Sequence, residues 1–343
     1  MNIVSYPAGL KEQLLETFGQ LLEDGSVAEG RFYNDTTDEF VKGKRSIPVN
    51  SCGSALFALL AYQKIEKGKT IAILQSNTMR GLYTVPRLLD FEVRVVASTR
   101  NPGFMAMDPD ALRKELETLG AKGLTKKVVI LYSVIGGYLA PAYKEIESLA
   151  KELGIPLIID LAHGHYLDEV IATDYGDLAF SFYATKILPA GEGGLVSTPN
   201  PLTYEWLRAF LIYDRFSYKL DVGINLRPNE LTSYFIYLLM TERKLREFFM
   251  ERRVAIAKVY RQTCEASGID FLDPEKAMAY NGYKFVIFSP HDVVAKKNSI
   301  LTVHQPTSPV FNVDVVTKKA LLPHWCPPTY PSLFAEIVGE GHV

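Results

Sequence analysis

The chain is poor in cysteine, has no strong excess of either charge and lacks long hydrophobic runs, and each shortage removes a class of protein. Three scattered cysteines, Cys52, Cys264 and Cys326, occur in 343 residues. An odd, dispersed set does not build a disulfide framework, which points to a reducing compartment. The opening MNIVSYPAGLKEQLLETF has no basic stretch followed by a long apolar one, so no secretory signal is expected and a cytoplasmic location is. Thirty-seven basic residues face 39 acidic ones, a net charge of −2. That balance gives no pull toward nucleic acid or an anionic membrane surface. Apolar runs such as 56–62 are far too short to span a bilayer. No internal repeat and no low-complexity tract is found.

What is present is an ordinary globular composition, 48% hydrophobic and 22% charged, long enough for one large or two modest domains. Leu10, Leu14, Leu15, Phe18, Leu21 and Leu22 fall at helical spacing and predict a helix over 8–24. Seven short β-type runs follow, at 46–49, 70–74, 93–97, 128–132, 157–160, 178–182 and 195–197. Helical stretches separate them. In 141–153, Pro141 stands near the first turn, Ile146, Leu149, Ala150 and Leu153 form the buried face, and Gly154 ends it. Strands joined by helical crossovers predict an α/β protein with a mostly parallel sheet covered on both faces. Ligands of such sheets bind at the carboxyl ends of the strands. From Asn229 to about residue 267 the pattern becomes one or two long helices. Short β runs at 284–288, 300–303 and 310–313 and a proline-rich HWCPPTYPS follow. The division expected is a large domain over 1–228 and a smaller C-terminal α+β domain over 229–343.

Four segments carry candidate chemistry, all at expected strand ends or helix starts. In NSCGSALFALLAY (50–62) a strand gives way to a helix starting within 51–54. Small residues there leave backbone N–H groups open to an anion, as a phosphate cup, although a serine cap alone explains the same pattern. In IPLIIDLAHGHYLDE (155–169), Asp160 ends an apolar strand at the site-bearing edge. It either serves a ligand or caps the next turn. A rival reading makes Asp160, His163 and His165 metal ligands of a hydrolase, since His-x-His puts two imidazoles on one side of an extended strand. In DLAFSFYATKILPAGEGGLVS, Lys186 follows an apolar strand. Desolvation by Phe182, Tyr183 and Ile187 would make it a usable nucleophile, while a surface hairpin lysine is the plainer alternative. GINLRPNEL (223–231) reads as a loop before a helix start. A lysine to bond an aldehyde, a strand-end carboxylate to keep a pyridine nitrogen protonated and a cup for a phosphate are together the requirements of pyridoxal phosphate (PLP).

The same segments resemble the DegT/DnrJ/EryC1/StrS aminotransferases, a sugar-aminotransferase branch of fold type I PLP enzymes, over roughly residues 45–235. NSCGSALFALLA resembles the family's Ser-Gly-Thr phosphate segment, and DLAHG its Asp-x-Ala-Gln segment. GDLAF followed by SFYATKILPAGEGGLVST resembles its lysine signature, and GINLRPNEL its Gly-x-Asn-x-Arg segment. The resemblance implies an aspartate aminotransferase-like fold with Lys186 as cofactor-bearing lysine and proton shuttle. It makes Asp160 the partner of the pyridinium, and Gly53, Ser54 and Ser181 the phosphate ligands. Asn225 reaches the phosphate of a neighbouring subunit, implying a homodimer with shared sites. His163 stands where the family commonly has glutamine, Met79 where an aromatic stacks on the cofactor, and Ser133 where histidine is frequent. The implied reaction moves an amino group, from glutamate as is usual in the family, to a keto group of a nucleotide-linked sugar. Two alternatives stay open beside the metal hydrolase. One is a PLP-dependent sugar dehydratase, against which Lys186 stands because those enzymes carry histidine there. The other is a non-catalytic PLP-fold regulator.

Overall fold

The computed structural model describes residues 6–34, 41, 43–99, 106–215, 219–266, 270–288 and 319–321. The expected runs at 300–303 and 310–313, HWCPPTYPS and Cys326 lie outside them. The seven expected strands all form and join one sheet. They are β1 (Arg45–Val49), β2 (Ile71–Gln75), β3 (Glu92–Val96), β4 (Val128–Ser133), β5 (Leu157–Leu161), β6 (Asp177–Ser181) and β7 (Gly194–Thr198). Their order is β1-β7-β6-β5-β4-β2-β3. The pairs from β6 through to β3 are all parallel. Strand β7 runs antiparallel to both β6 and β1.

Every residue of β2, β4 and β5 is buried, which is why these strands read as near-continuous apolar runs. Alternation divides their side chains and those of β6 between two cores. Ile71, Ile73, Ile130, Tyr132, Ile159 and Phe180 enter one. Ala72, Leu74, Val129, Leu131, Ile158 and Ala179 enter the other. Helix α1 (Ala8–Glu23) lies within a residue of its expected bounds. Helix α2 (Cys52–Ile65) follows β1 directly and buries Leu56, Leu59, Leu60 and Tyr62 in the second core. The expected 141–153 helix is Tyr143–Glu152. It starts late because Pro141 and Ala142 form the turn that leads into it.

The helical region after residue 229 is interrupted rather than continuous. Helix α3 (Glu230–Thr241) is capped by Asn229, whose side chain accepts from Thr232 N. Glu242 adopts an extended backbone. A short turn, Arg243–Arg246, and a π-helical turn, Glu247–Glu251, then lead into α4 (Arg252–Ala266). The chain beyond α4 returns to the segments that follow β4 and β5. Ala279–Tyr280 pairs with Tyr138–Leu139, and the Asn281 amide donates to the carbonyls of His163 and His165, each at 2.8 Å. No helix among the described residues is long and apolar enough to cross a membrane.

Gly194 begins β7 where the strand presses on the start of α2. A Cβ at this position would clash with the Ser51 carbonyl and lie 2.7 Å from Cys52 N. Those are backbone atoms that cannot swing away. Gly194→Ala is therefore expected to destabilise the fold by about 3 kcal/mol, measured as a lower denaturant midpoint, and a midpoint equal to the parent's would show that the two elements can separate freely.

Candidate active site

Because β7 runs against β6, the loop 182–193 leaves and re-enters the sheet at one edge, the edge where the parallel strands end. Hydrogen bonds from Phe182 N to Gly193 O (2.9 Å), Ala184 N to Gly191 O (3.0 Å) and Ala190 N to Phe182 O (2.8 Å) tie the loop to itself. Gly191 and Gly193 take positive φ values of 90° and 142°, conformations that side-chain-bearing residues rarely adopt. Phe182, Ile187 and Leu188 are buried and anchor the loop on either side of Lys186. Of the three groups expected to desolvate the lysine, Phe182 and Ile187 are buried, while Tyr183 is exposed. The Lys186 ammonium sits 5.5 Å from the centroid of the Tyr283 ring.

Asp160 is 6% exposed, one residue before the end of β5. Its Oδ1 accepts from Ala162 N at 2.9 Å, and Cys52 Sγ approaches the same oxygen at 3.6 Å. Ser133 Oγ lies 3.4 Å from Oδ2. Burial raises its pKa above the ordinary carboxylate value, and the Ala162 amide and the Lys186 cation oppose that rise. Lysine and carboxylate, 26 residues apart in sequence, are thus electrostatic partners in the fold. Burial, reinforced by the Asp160 charge, holds the Cys52 thiol well above its usual value, so it stays protonated.

The start of α2 is open in the way an anion cup requires. Ser51 caps it, its Oγ accepting from Ser54 N at 3.1 Å. Ser54 Oγ in turn donates to Asn50 Oδ1. The first-turn N–H groups have no intrahelical acceptor, and a Cβ on Gly53 would meet only Ser51 Oγ, at 3.6 Å. Ser181 pairs with Gly194, and Ser51 bridges to Gly193, so Ser181 and the lysine loop both border the cup. Asn50 N donates to Leu226 O at 2.8 Å, which sets the exposed Asn225 beside it. Met79 ends the segment after β2 and is 53% exposed, its sulfur accepting from Gly81 N. Its neighbour Thr78 bonds Ser133 at 3.1 Å, linking this segment to Asp160.

His163 accepts from Gly136 N at 3.2 Å through Nδ1 and packs its ring 4.5 Å from that of Tyr283. Tyr283 has no counterpart in the sequence reading. The segment 284–288 shows only a short β run, and no local pattern reveals that its first turn returns to Lys186. Burial raises the Tyr283 phenol, but the cations of Lys186, Lys284 and Arg253 and a Thr185 hydrogen bond outweigh it, and the net direction is down. Cys52 and Asn281 were likewise not singled out for a place at the site.

The metal reading does not assemble. His163 faces Tyr283, whereas His165 packs between Phe180 and Phe182 at 5.5 and 5.1 Å. Among the described residues no group of three or more His, Cys, Asp or Glu side chains converges as a metal site does. The reason is the turn at Gly164, which ends the extended backbone that His-x-His would need. Gly164 N donates to Leu161 O at 2.8 Å.

Comparison with known proteins agrees with this arrangement. The model of the DegT/DnrJ/EryC1/StrS aminotransferase family matches residues 9–307. The spore coat polysaccharide biosynthesis protein SpsC of Bacillus subtilis is 27% identical over 216 residues, covering 61% of this chain and 52% of that protein. The 3-amino-5-hydroxybenzoate synthase of Amycolatopsis mediterranei is 28% identical over 176 residues, covering 48% and 40%. The chain thus spans about half the length of these curated relatives. Among solved structures, a 3-amino-5-hydroxybenzoic acid synthase superposes with a TM-score of 0.77 at 19% identity, over 98% of this chain and 97% of the other. Helicobacter pylori PseC, an aminotransferase of pseudoaminic acid biosynthesis, gives 0.75 at 17% identity over 98% and 96%. The fold is that of the fold type I PLP aminotransferases.

His165 is 1% exposed, and burial, with the Lys186 and Arg253 cations, pushes its imidazole down to about 3. Unfolded, it takes up a proton below about pH 6.5. Between those values the unfolded state binds more protons, so stability falls as pH drops. This one group should contribute a slope of about 1.4 kcal/mol per pH unit below 6.5. Urea midpoints measured from pH 7 to 5 should fall less steeply in His165→Phe, and equal slopes in the two proteins would assign the acid sensitivity elsewhere.

Proposed function

The chain belongs to the DegT/DnrJ/EryC1/StrS aminotransferase family, and on that premise we propose that it is a PLP-dependent aminotransferase acting on a nucleotide-linked ketosugar with glutamate as amino donor. The observation that carries the reading is the meeting of Lys186 and Asp160 at one sheet edge, bordered by the open start of α2. The side chains suit the cofactor. A buried carboxylate beside a lysine matches a protonated pyridine nitrogen, and the uncluttered helix start at Gly53 leaves room for a phosphate. Bound there, the cofactor supplies an electron sink for charge developing at the substrate carbon.

The residues take the following roles in this reading. Gly53, Ser54 and Ser181 hold the phosphate, the helix dipole assisting. Asp160 keeps the pyridine nitrogen protonated and is itself held in place by Ala162 N, Cys52 and Ser133. Lys186 moves the proton to and from the reacting carbon, general acid–base work by a positioned amine. His163 borders the ring, fixed by Gly136 N. Met79 would pack its thioether on the cofactor's aromatic face. Asn225, exposed beside the cup, serves the equivalent site of a second copy in a homodimer. The amine at position 186 favours transfer over dehydration, because histidine cannot bond the cofactor's aldehyde and recapture it.

Borohydride reduction and peptide mapping should place the cofactor on Lys186, with Lys284 as the neighbouring lysine whose labelling would contradict this. Nitrogen-labelled glutamate and a panel of nucleotide-linked ketosugars should yield a labelled aminosugar and one 2-oxoglutarate per turnover. Lys186→His should lower that transfer by at least about 100-fold. A deoxysugar without label would mean that the chain is a dehydratase. Asp160→Asn should keep the fold and the cofactor while losing most of the turnover, and near-normal rates in that variant would hand its role to another acid.

A further inference from the structure

A cavity of about 310 Å³ borders the loop that carries Lys186, with Leu188 in its wall. Separate parts of the chain enclose it. Phe180 comes from β6, His165 and Tyr166 follow the turn at Gly164, and Met240 comes from the last turn of α3. The break in the helical region builds the remaining side. Because Glu242 is extended, α3 stops at Thr241, and the chain turns so that Glu242 and Arg246 also line the space. Asp168 stands opposite them in sequence and pairs with Arg246. Among the described residues, Asp160, Lys186 and the first turn of α2 have no part in the wall, so the cavity is distinct from the candidate active site.

Its deepest part is apolar with one polar exception. Phe180, Leu188 and His165 are each at most 1% exposed. Both ring nitrogens of His165 lack a hydrogen-bond partner among the described residues, and so does the Tyr166 hydroxyl. The imidazole is neutral at physiological pH, so it presents one N–H and one bare nitrogen. Buried groups left unpaired in this way cost free energy. Tyr166 also has a positive φ of 64°, uncommon for a large side chain. Water could bond the imidazole, but it would wet Phe180, Leu188 and Met240, and apolar walls favour an apolar guest. The charged groups of the wall already hold partners. Arg246 donates to Asp168 through Nη1 and Nη2, both at 3.0 Å, and Glu242 accepts from Lys244 N at 3.2 Å. The two carboxylates disfavour an anionic guest. A cationic one is disfavoured as well, because the charge of Arg253, whose Nη2 lies 3.5 Å from the Lys186 carbonyl, acts on both His165 and Tyr166.

We propose that this cavity is a binding site for a neutral, hydroxyl-bearing aromatic molecule, its hydroxyl paired with His165 and Tyr166 and its rings packed on Phe180, Leu188 and Met240. A hydroxyl both donates and accepts, which matches the two free nitrogens of a neutral imidazole. Size follows from volume. An apolar cavity of about 150 Å³ takes one benzene ring, so about twice that space admits two fused rings. A phenylalanine ring and a thioether in the wall suit an aromatic body. A largely apolar pocket with few polar groups is also the usual form of a small-molecule site. Such a guest would bear on Leu188, two residues from Lys186, and on Phe180, which pairs with Leu161 beside Asp160. It would reach the lysine loop from outside the cofactor's place. The inference goes beyond the aminotransferase reading and does not depend on it.

The probes are 2-naphthol and naphthalene, which differ only in the hydroxyl, measured by equilibrium dialysis against the full-length holoenzyme. 2-Naphthol should bind about 10-fold more tightly than naphthalene, the worth of the hydrogen bonds it alone can make. His165→Leu keeps an apolar floor and removes the pairing, so that preference should disappear. Met240→Trp fills the space from the α3 side and should weaken 2-naphthol by at least about 10-fold. If the tryptophan variant does not fold, the preference measured in His165→Leu still decides. Amide exchange on the parent locates the site: 2-naphthol should slow exchange in 182–193 and in 239–246. The site is overturned by any of four results: no binding of 2-naphthol, no preference over naphthalene, a preference that persists in His165→Leu, or parental affinity in folded Met240→Trp. Protection confined to other segments overturns it as well.

Discussion

The reversal of one strand organises the candidate site. Strand β7 returns along β6 and begins at Gly194, pressed against the Ser51 carbonyl at the start of α2. That contact closes the loop 182–193 over the carboxyl edge of the sheet. It brings the Lys186 charge within electrostatic reach of Asp160 and sets Ser181 beside the capped helix. Had β7 continued the parallel pattern, its connection would have crossed to the far edge of the sheet, and the lysine would lie away from the cup. The absence of a side chain at 194 is therefore a condition for the geometry of the whole site.

Around this edge the protein concentrates charge where burial makes charge expensive. The cations of Lys186, Lys284 and Arg253 act on Tyr283, and the buried carboxylate of Asp160 feels Lys186 among them. Interiors tolerate such imbalance at functional positions, where a ligand completes the charge. An anionic phosphate at α2 would offset part of the excess. The neutral state of His165 follows from the same surroundings, and it ties the stability of the fold to pH through a residue that touches no solvent.

The small C-terminal segments contribute more than a cover. Asn281 clamps the carbonyls of His163 and His165, and Tyr283 stacks on His163 while facing Lys186. The ring of the tyrosine is thus shared between a residue proposed to border the cofactor and the lysine proposed to carry it. Gly282 is pressed on α4 next to Arg253, since a Cβ there would stand 2.7 Å from the Arg253 Cβ. A shift of α4 would therefore be felt at Tyr283, and through it at Lys186.

By itself the sequence determined the seven strands, to within a residue or two at each end, because buried parallel strands must be continuous apolar runs and their ends are marked by glycine, proline and caps. It also determined which residues are candidates: Lys186 and Asp160 sit at strand ends, and small residues open α2, all local facts. The tertiary structure decided what no local pattern encodes. It pressed β7 onto the start of α2, packed His165 between Phe180 and Phe182 while His163 faces Tyr283, and broke the helical region after 229 at Glu242. It also carried Tyr283 and Arg253, about 70 to 100 residues downstream of Lys186, to that lysine. Pairings across such distances depend on which surfaces remain to be covered once the sheet is packed, and neighbouring residues carry no record of them.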